Sequence, residues 1–202
     1  MKGKILLISG PSGSGKSTLL GRLLKEFPNT YFSISSTTRK PRNGEIHGVN
    51  YYFVSEEDFK KGIENNEFLE WAKVHSNYYG TPLKPVEEAL ELGKTVIFDI
   101  DVQGFHLAKK IYGNNITSIF LTTKNRKDLE SRLRHRAKDS EEIIQNRLLN
   151  AASEMGHMKE YKFLIINDDL EDAYKKLRAI FLVNEIKTKN LDLDEISKQW
   201  IN

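Results

Sequence analysis

Gly10-Pro11-Ser12-Gly13-Ser14-Gly15-Lys16-Ser17-Thr18 decides the fold, because this stretch fits the pattern G-x-x-x-x-G-K-[ST]. It follows the short apolar run 5–8, which is typical of a parallel strand buried on both faces. Leucines at helical spacing follow the stretch as far as Pro28. A glycine-rich loop between a strand and a helix turns its backbone N–H groups inward around a phosphate. The sequence therefore predicts a nucleoside triphosphate site.

Two residues of this loop have individual roles in such a site. The Lys16 ammonium group is predicted to reach the β- and γ-phosphates, and the Ser17 hydroxyl to bind Mg²⁺. An ordinary Gly/Ser-rich turn is the alternative, and the strand and helix on either side argue against it. The residues expected to contact the triphosphate are Gly10, Pro11, Ser12, Gly13, Ser14, Gly15, Lys16, Ser17 and Thr18.

The composition is that of an ordinary globular protein. Its 202 residues are 39% hydrophobic and 29% charged, which allows one substantial core with an inserted lobe. No apolar run approaches the ~20 residues of a membrane span, so we expect no membrane contact. Cysteine is absent, which excludes disulfides and cysteine-ligated metals. We expect a cytoplasmic protein, since the first residues show no signal-peptide pattern.

The charge distribution argues against a dedicated nucleic-acid binder. The formal net charge is only +3. Basic residues cluster between 126 and 138, and such a cluster suits a small polyanion at least as well as a nucleic-acid backbone. A P-loop ATPase that processes nucleic acid would need a larger basic surface. We therefore expect small-molecule partners and no nucleic acid.

Apolar runs alternate with segments of helical periodicity along most of the chain, which predicts a parallel sheet covered by helices. Between about 35 and 81 the pattern changes to short runs rich in Tyr, Phe, Thr and Gly. These runs predict a small, mostly antiparallel inserted sheet with one helix near 56–65. The segment 191–202 is either a short docked helix or a frayed tail. The strand-like apolar runs of the core are 5–8, 96–100, 118–121 and 163–166.

A basic turn inside the inserted region offers a second phosphate site. Arg39 and Arg42 lie three residues apart across a proline, and Tyr51 follows them. Two guanidinium groups and a phenol can clamp one phosphate, since the arginine donors are fixed and bidentate. A solvated basic turn is the alternative, and this segment alone leaves both interpretations open.

Two carboxylates lie at the end of the second apolar run. Asp99 ends that run, where P-loop enzymes commonly place the acid that organises Mg²⁺ and its waters. Asp101 lies beyond the strand end on the same side of an extended chain, so we expect it to point into the cleft. An aspartate that merely starts the loop after a strand is the structural alternative for both.

Taken together, these motifs resemble the guanylate kinase family closely, from about residue 5 to residue 170. The resemblance implies an α/β P-loop NTPase fold with a five-stranded parallel sheet, a mixed α/β GMP-binding lobe (34–82) and a helical lid (about 125–150), with 1–33 and 83–202 as the core. The implied reaction is Mg²⁺-dependent transfer of the ATP γ-phosphoryl group to GMP or dGMP, giving ADP and GDP, in purine nucleotide metabolism. The motifs that carry the resemblance are GPSGSGKST, SSTTRKPRNGEIHGVNYYF, NNEFLEW, NYYGT, DIDVQG and INDDL.

The resemblance also implies roles for individual residues. The metal would be Mg²⁺ held by Ser17 and, through water, by Asp99. Asn167 and Asp168 resemble residues beside the ATP adenine, although such residues after a strand are also ordinary turn formers. The implied contacts to the GMP phosphate are Arg39, Arg42, Tyr51 and Tyr79. The implied guanine contacts are Ser35, Glu70, Thr81 and Asp101. The implied catalytic residues are Lys16, Arg39, Arg132, Arg136 and Arg147.

One position departs from the family pattern, which often has Arg-Gly after the first lid helix. This chain has Arg136-Ala137 there, so the flexibility of the lid hinge is open. A non-catalytic module of the same family, which binds phosphorylated peptides through the arginine and tyrosine clamp, is the main alternative. The intact Lys16 and Ser17 argue against it. The oligomeric state is left open by the sequence.

Overall fold

The structure is a computed structural model. It describes residues 3–74, 76–135, 140–187, 191 and 193–201. The strands within these residues are β1 (Lys4–Ser9), β2 (Thr30–Phe32), β3 (Ser36–Thr37), β4 (Tyr52–Phe53), β5 (Phe68–Val74), β6 (Asn77–Pro82), β7 (Thr95–Asp99), β8 (Ile116–Thr122) and β9 (Phe163–Ile166). The α-helices are α1 (Lys16–Glu26), α2 (Glu56–Glu64), α3 (Leu83–Glu91), α4 (Val102–Tyr112), α5 (Arg126–His135), α6 (Glu141–Met155), α7 (Leu170–Glu185) and α8 (Leu193–Ile201).

Five parallel strands form the central sheet, in the order β2-β7-β1-β8-β9. The middle strand, β1, is buried along its whole length. Ile5 and Leu7 pack with α3 and α4, and Leu6 and Ile8 pack with α1 and α7 on the other face. Burying one such side chain contributes about 1.5–3 kcal/mol, so apolar residues are favoured at each of these positions. The predicted α/β class with a five-stranded parallel sheet is confirmed.

The edge strand β2 has no counterpart in the apolar pattern of the sequence. Its three residues, Thr30, Tyr31 and Phe32, are half-buried and pair in parallel with β7. An edge strand is bonded on one side only and is commonly short, so it does not require a continuous apolar run. The four apolar runs correspond to β1, β7, β8 and β9. The family resemblance alone implies the fifth strand.

A second sheet, in the order β4-β3-β6-β5, is built from residues 36–82. β6 pairs antiparallel with β3 and β5, and β4 pairs parallel with β3, so the predicted mostly antiparallel sheet is confirmed. Helix α2 packs on this sheet through the buried Phe59, whose ring stacks on Phe68 with centroids 4.4 Å apart. Ser55 caps the helix by accepting a hydrogen bond from the Asp58 N–H at 3.0 Å.

Helices α5 and α6 pack on each other through an apolar cluster of their own. This cluster is separate from the two that cover the central sheet. The Arg136-Ala137 pair between the two helices belongs to 136–139, which lie outside the described residues. The side chains of the cluster are Leu129, Leu133, Ile144, Leu148 and Ala151.

The last segment of the chain is helical and is not packed into a core. Within the described residues 193–201, α8 has no buried side chain. Trp200 is 88% exposed and Ile201 is 84% exposed. Of the two alternatives that the sequence left open, neither describes this segment fully: residues 193–201 form a helix, and none of its side chains is buried. In the described part of the chain, every helix is too short or too polar to cross a membrane.

The carboxyl ends of β1 and β7 form the edge that positions the functional residues. The two strands are parallel neighbours with Ile8 opposite Asp99. The chain leaves β1 through the glycine loop into α1, and it leaves β7 through Asp101 into α4. Ligands of open parallel sheets bind at this edge.

We predict that Gly10→Ala destabilises the protein strongly. Gly10 has a φ of +143°, and a Cβ atom there would lie 1.9 Å from the carbonyl oxygen of Leu121. Strain of this kind alone costs about 1–3 kcal/mol, so we expect the free energy of unfolding in urea to fall by about 2 kcal/mol or more.

Gly21→Ala is the matched control. Gly21 lies in α1, and an added methyl group meets none of the described atoms within 4 Å. Helix propensity should therefore raise the free energy of unfolding by about 1 kcal/mol. A Gly10→Ala protein as stable as the Gly21→Ala protein would contradict the proposed geometry of the loop.

Candidate active site

The glycine loop after β1 surrounds an open cavity of about 320 Å³. Gly10, Gly13 and Gly15 have φ values of +143°, +92° and +102°, which residues with a Cβ rarely adopt. The Lys16 ammonium group donates to the carbonyl oxygen of Gly10 at 2.5 Å, so it is held at the mouth of the loop. The cavity is lined by Gly10, Pro11, Ser12, Gly13, Ser14, Gly15, Lys16, Ser17, Asp99, Ile100, Asp101 and Glu154.

The N-terminus of α1 is open for an anion. Its N-cap residue, Gly15, provides no side-chain acceptor, and its first turn contains no acidic residue. Ser17 and Thr18 in that turn are exposed. The first N–H groups of a helix have no partner within the helix and carry the positive end of its dipole. This end of α1 can therefore bind a phosphate group.

Three predicted residues contact the glycine loop from other elements. The Asn167 side-chain amide donates to the Ser14 carbonyl oxygen at 2.8 Å, and Arg132 donates to the same oxygen at 3.4 Å and to the Asn167 carbonyl oxygen at 2.7 Å. Arg147 donates to the Ser12 hydroxyl at 3.0 Å. Arg132 of α5 and Asn167 after β9 thus hold the loop backbone, and Arg147 of α6 contacts a loop side chain.

Asp168, another predicted residue, lies away from the glycine loop. Asp168 is exposed, and its carboxylate accepts a hydrogen bond from Lys124 at 3.1 Å. Arg136 lies outside the described residues. Of the predicted lid arginines, the structure therefore places Arg132 and Arg147 at the glycine loop.

The predicted metal-binding residues line one cavity. Asp99 is half-buried at the end of β7, and Ser17 is exposed in the first turn of α1. Burial raises the pKa of the Asp99 carboxyl group, and the charge of Lys16 opposes this effect. A hydroxyl and a carboxylate are the oxygen donors that Mg²⁺ prefers.

Asp101 has a structural role besides its predicted contact with guanine. It is the N-cap residue of α4, and its Oδ1 atom accepts a hydrogen bond from the Gly104 N–H at 2.8 Å. Its side chain also lines the loop cavity and an adjoining cavity of about 300 Å³. Asp101 therefore starts the next helix and also lines the cleft, and its contact with guanine stays a prediction.

The predicted phosphate clamp converges on the Arg39 guanidinium group. This group lies over the Tyr51 ring, 5.4 Å from its centroid, and the Tyr51 and Tyr79 rings are 6.1 Å apart. Glu45, which the sequence did not single out, accepts hydrogen bonds from the Arg39 side chain at 2.8 Å and from the Arg42 N–H at 2.7 Å. Glu45 therefore fixes the turn that carries both arginines, while the Arg42 side chain is exposed.

The predicted base contacts lie mainly on neighbouring strands of the second sheet. Thr81 on β6 is buried and donates its hydroxyl proton to Glu70 on β5 at 2.7 Å. Burial raises the pKa of the Glu70 carboxyl group, the Thr81 bond lowers it, and the charge of Asp101 raises it. Ser35 is half-buried directly before β3. Glu70 and Thr81 thus bring a carboxylate and a hydroxyl group together, and their contact with guanine stays a prediction.

Two histidines and a glutamate form a cluster beside the adjoining cavity, which both His157 and Asp101 line. His106 on α4 and His157 after α6 lie 2.9 Å and 2.7 Å from different oxygens of Glu160. These contacts lower the pKa of the Glu160 carboxyl group, with His157 contributing more than His106. The spacing of the histidines gives no sign of this contact, because the residues come from different elements.

The family comparison agrees with the motifs. A family model described as guanylate kinase matches residues 2–183. The guanylate kinase of Campylobacter jejuni is 53% identical over 201 residues, which are 99% of this chain and 98% of that protein. The guanylate kinase of Helicobacter pylori is 50% identical over 198 residues, with 98% and 96% covered.

A solved structure is similar over nearly the same length. The crystal structure of guanylate kinase from Anaplasma phagocytophilum matches with a TM-score of 0.74 and 32% sequence identity. The match covers 96% of this chain and 93% of that chain.

We predict that Asn167→Ala destabilises the protein through the glycine loop. The substitution removes the shorter of two hydrogen bonds to the buried Ser14 carbonyl oxygen and leaves the longer one from Arg132. The net loss of one hydrogen bond costs about 0.5–1.5 kcal/mol. We expect that loss in the free energy of unfolding, measured in urea. Asp168→Ala is the control and should change it by less than about 0.5 kcal/mol, since Asp168 is exposed. If the two variants are equally stable, the Asn167 contact does not support the loop.

Proposed function

The chain belongs to the guanylate kinase family, and we propose that its active site transfers the γ-phosphoryl group of ATP to GMP or dGMP, giving ADP and GDP or dGDP. It is an ATP:GMP phosphotransferase, and this reaction belongs to purine nucleotide metabolism. The observation that carries the proposal is the combination of two sites in one molecule. A phosphate-binding loop with Lys16 lies at the central sheet, and a carboxylate–hydroxyl pair, Glu70 and Thr81, lies in the second sheet.

The transfer requires no general base. A phosphate monoester has a second pKa of ~6, so the GMP phosphate is already mostly ionised at neutral pH. One of its oxygens bonds to the γ-phosphorus while the bond from that phosphorus to the ADP oxygen breaks. Catalysis then consists of aligning the two groups and neutralising the charge on the transferring phosphoryl group.

The glycine loop and the cationic side chains around it form the donor site in this proposal. The loop N–H groups and Lys16 bind the ATP phosphates. Arg132, which contacts the loop backbone, and Arg147, which contacts the Ser12 hydroxyl, are assigned to stabilise the charge of the phosphoryl group. Arg136 is assigned the same role from the sequence motif. Asn167 and Asp168 are assigned to the adenine end of ATP, with Asn167 also supporting the loop.

Ser17 and Asp99 fit a magnesium ion by the chemistry of their oxygen donors and by lining one cavity. We assign the ion to the Ser17 hydroxyl directly and to Asp99 through water. When bound, it would supply positive charge that offsets the negative charge of the phosphate groups. Burial raises the pKa of the Asp99 carboxyl group, and the nearby positive charge of Lys16 lowers it and so favours the carboxylate form.

The arginine turn forms the acceptor-phosphate site in this proposal. Arg39 and Arg42 contribute guanidinium donors, and Tyr51 and Tyr79 contribute hydroxyl groups. Glu45 holds the Arg39 guanidinium group and the turn backbone in position before the nucleotide binds. This reduces the conformational entropy that is lost on binding.

Glu70, Asp101, Ser35 and Thr81 are assigned to the guanine base. Guanine offers N1–H and N2–H₂ donors to the carboxylates and an O6 acceptor to the hydroxyl groups. Adenine has the opposite arrangement on this edge, so it would leave buried polar groups unpaired. This is the physical basis for selecting GMP over AMP.

We also propose that the chain is divided into a core and two segments that move relative to it. Residues 34–82 act as the GMP-binding lobe, about 125–150 as the lid, and 1–33 with 83–202 as the core. The second sheet falls within the first of these ranges, and α5 with most of α6 falls within the second. Closure of both would exclude water before transfer. We place the enzyme in the cytoplasm, where its nucleotide substrates are used.

We predict that Lys16→Ala lowers kcat by about 100-fold or more, because one preorganised charge at the reacting group commonly contributes that much. The unfolding midpoint should change little, since the Lys16 side chain bonds only to loop carbonyl groups among the described residues. Lys25→Ala on the exposed side of α1 is the control and should retain full activity. A folded Lys16→Ala enzyme with more than about a tenth of the wild-type kcat would contradict the assignment.

We predict that Glu70→Gln changes the choice of base. The substitution keeps the size of the side chain but replaces a charged acceptor with an amide that also donates. A charge-assisted hydrogen bond is worth about 1.5–3 kcal/mol, so kcat/KM for GMP should fall about 10- to 100-fold while that for AMP stays level or rises. The measurement is kcat/KM for both nucleotides.

Glu67→Gln, directly before β5, is the matched control for Glu70→Gln. Its exposed carboxylate is not assigned to the base, so both kcat/KM values should remain at the wild-type level. Equal proportional losses for GMP and AMP in the Glu70→Gln enzyme would show that Glu70 supports the lobe and does not select the base.

A further inference from the structure

Helix α6 contributes a carboxylate that the reaction described above does not use. Glu154 lies seven residues after Arg147, so both side chains project from the same face of α6. Arg147 donates to the Ser12 hydroxyl at 3.0 Å, which places this face against the glycine loop. Glu154 accordingly lines the loop cavity, where it is the one contribution from α6 among the described lining residues.

The carboxylate of Glu154 lacks a hydrogen-bond donor for one of its oxygens in the described part of the protein. Its Oε2 atom is buried and has no hydrogen-bond partner among the residues that the structure describes. Burial raises the pKa of the Glu154 carboxyl group, while the charge of Lys16 lowers it and that of Asp101 raises it. A buried acceptor without a donor costs free energy. The arrangement becomes favourable when a bound group supplies that donor.

The neighbouring groups narrow the choice of donor. Lys16 donates to the Gly10 carbonyl oxygen and is assigned to the ATP phosphates, so it is already used. Phosphate oxygens are anionic acceptors and repel a carboxylate. Water held by a cation is a strong donor, and the two proposed magnesium-binding residues, Ser17 and Asp99, line the same cavity as Glu154.

We propose that Glu154 is a positioning residue of the magnesium site, where its carboxylate accepts a hydrogen bond from a water bound to Mg²⁺. This rests on the proposed function. Asp99 reaches the site from the end of β7, and Glu154 reaches it from α6. The water shell is therefore held from two sides only when α6 lies against the glycine loop. This arrangement couples metal binding to the position of the helix that also carries Arg147.

The test compares Glu154→Gln with Glu142→Gln. Both glutamates lie on α6, but Glu142 is exposed in the first turn and has no assigned role. Glutamine keeps the size of the side chain and removes the charge. The primary measurement is the dissociation constant of Mn²⁺, followed by electron paramagnetic resonance, for the enzyme saturated with a non-hydrolysable ATP analogue. Companion measurements are the KM for GMP and the thermal unfolding midpoint without nucleotides.

We expect the Mn²⁺ dissociation constant to rise about tenfold in Glu154→Gln, as is usual when a group that orients metal ligands is removed, and to stay unchanged in Glu142→Gln. The KM for GMP should stay within about twofold of wild type. The unfolding midpoint of Glu154→Gln should equal or exceed that of wild type, because the variant no longer buries an unpaired charge.

An unchanged Mn²⁺ dissociation constant in folded Glu154→Gln overturns the proposal, whatever happens to turnover. An unfolding midpoint clearly below that of wild type also overturns it, since Glu154 would then stabilise the protein without metal. Failure of the proposed function is a different result: wild-type enzyme would then release no ADP with GMP, while its Mn²⁺ affinity could still be measured.

Discussion

The left-handed glycine turn between β1 and α1 is the constraint on which the rest of the structure depends. Gly10, Gly13 and Gly15 all have positive φ, and the loop lines one cavity together with the start of α1. Burial of β1 on both faces fixes where the loop begins, and the Asn167 amide holds its middle at the Ser14 carbonyl oxygen. Because the loop is already in this conformation, its polar groups need not reorganise when charge develops on a phosphoryl group.

The features of the fold that follow from local pattern could be predicted from the sequence. The run 5–8 alternates between two apolar faces and is therefore recognisable as a doubly covered strand. β2 could not be found in this way, because an edge strand of three half-buried residues leaves no periodic signal. The final helix was only partly predictable, since its sequence is compatible with a helix but does not say whether that helix packs.

In the candidate site, too, some contacts could be predicted from the sequence and others could not. Arg39 and Tyr51 could be paired from their own segment, and the structure places the Arg39 guanidinium group over the Tyr51 ring. Glu70 and Thr81 were implied by the family resemblance, and they contact each other on neighbouring strands. Glu154 was missed because it reaches the glycine loop from a helix far along the chain, and no local motif records such a contact. Roles that depend on through-space contacts between separate elements require the structure.

A coupled assay with ATP and Mg²⁺ that compares GMP, AMP, UMP, CMP and dTMP as acceptors tests the central claim most directly. The account predicts rapid ADP release with GMP. A site built to hydrogen-bond one base edge can reject an analogue by roughly 10⁴-fold, so kcat/KM for the other four nucleotides should be lower by about that factor. Comparable rates with AMP and GMP, or no ADP release with GMP from an enzyme that instead binds phosphorylated peptides, would contradict the account.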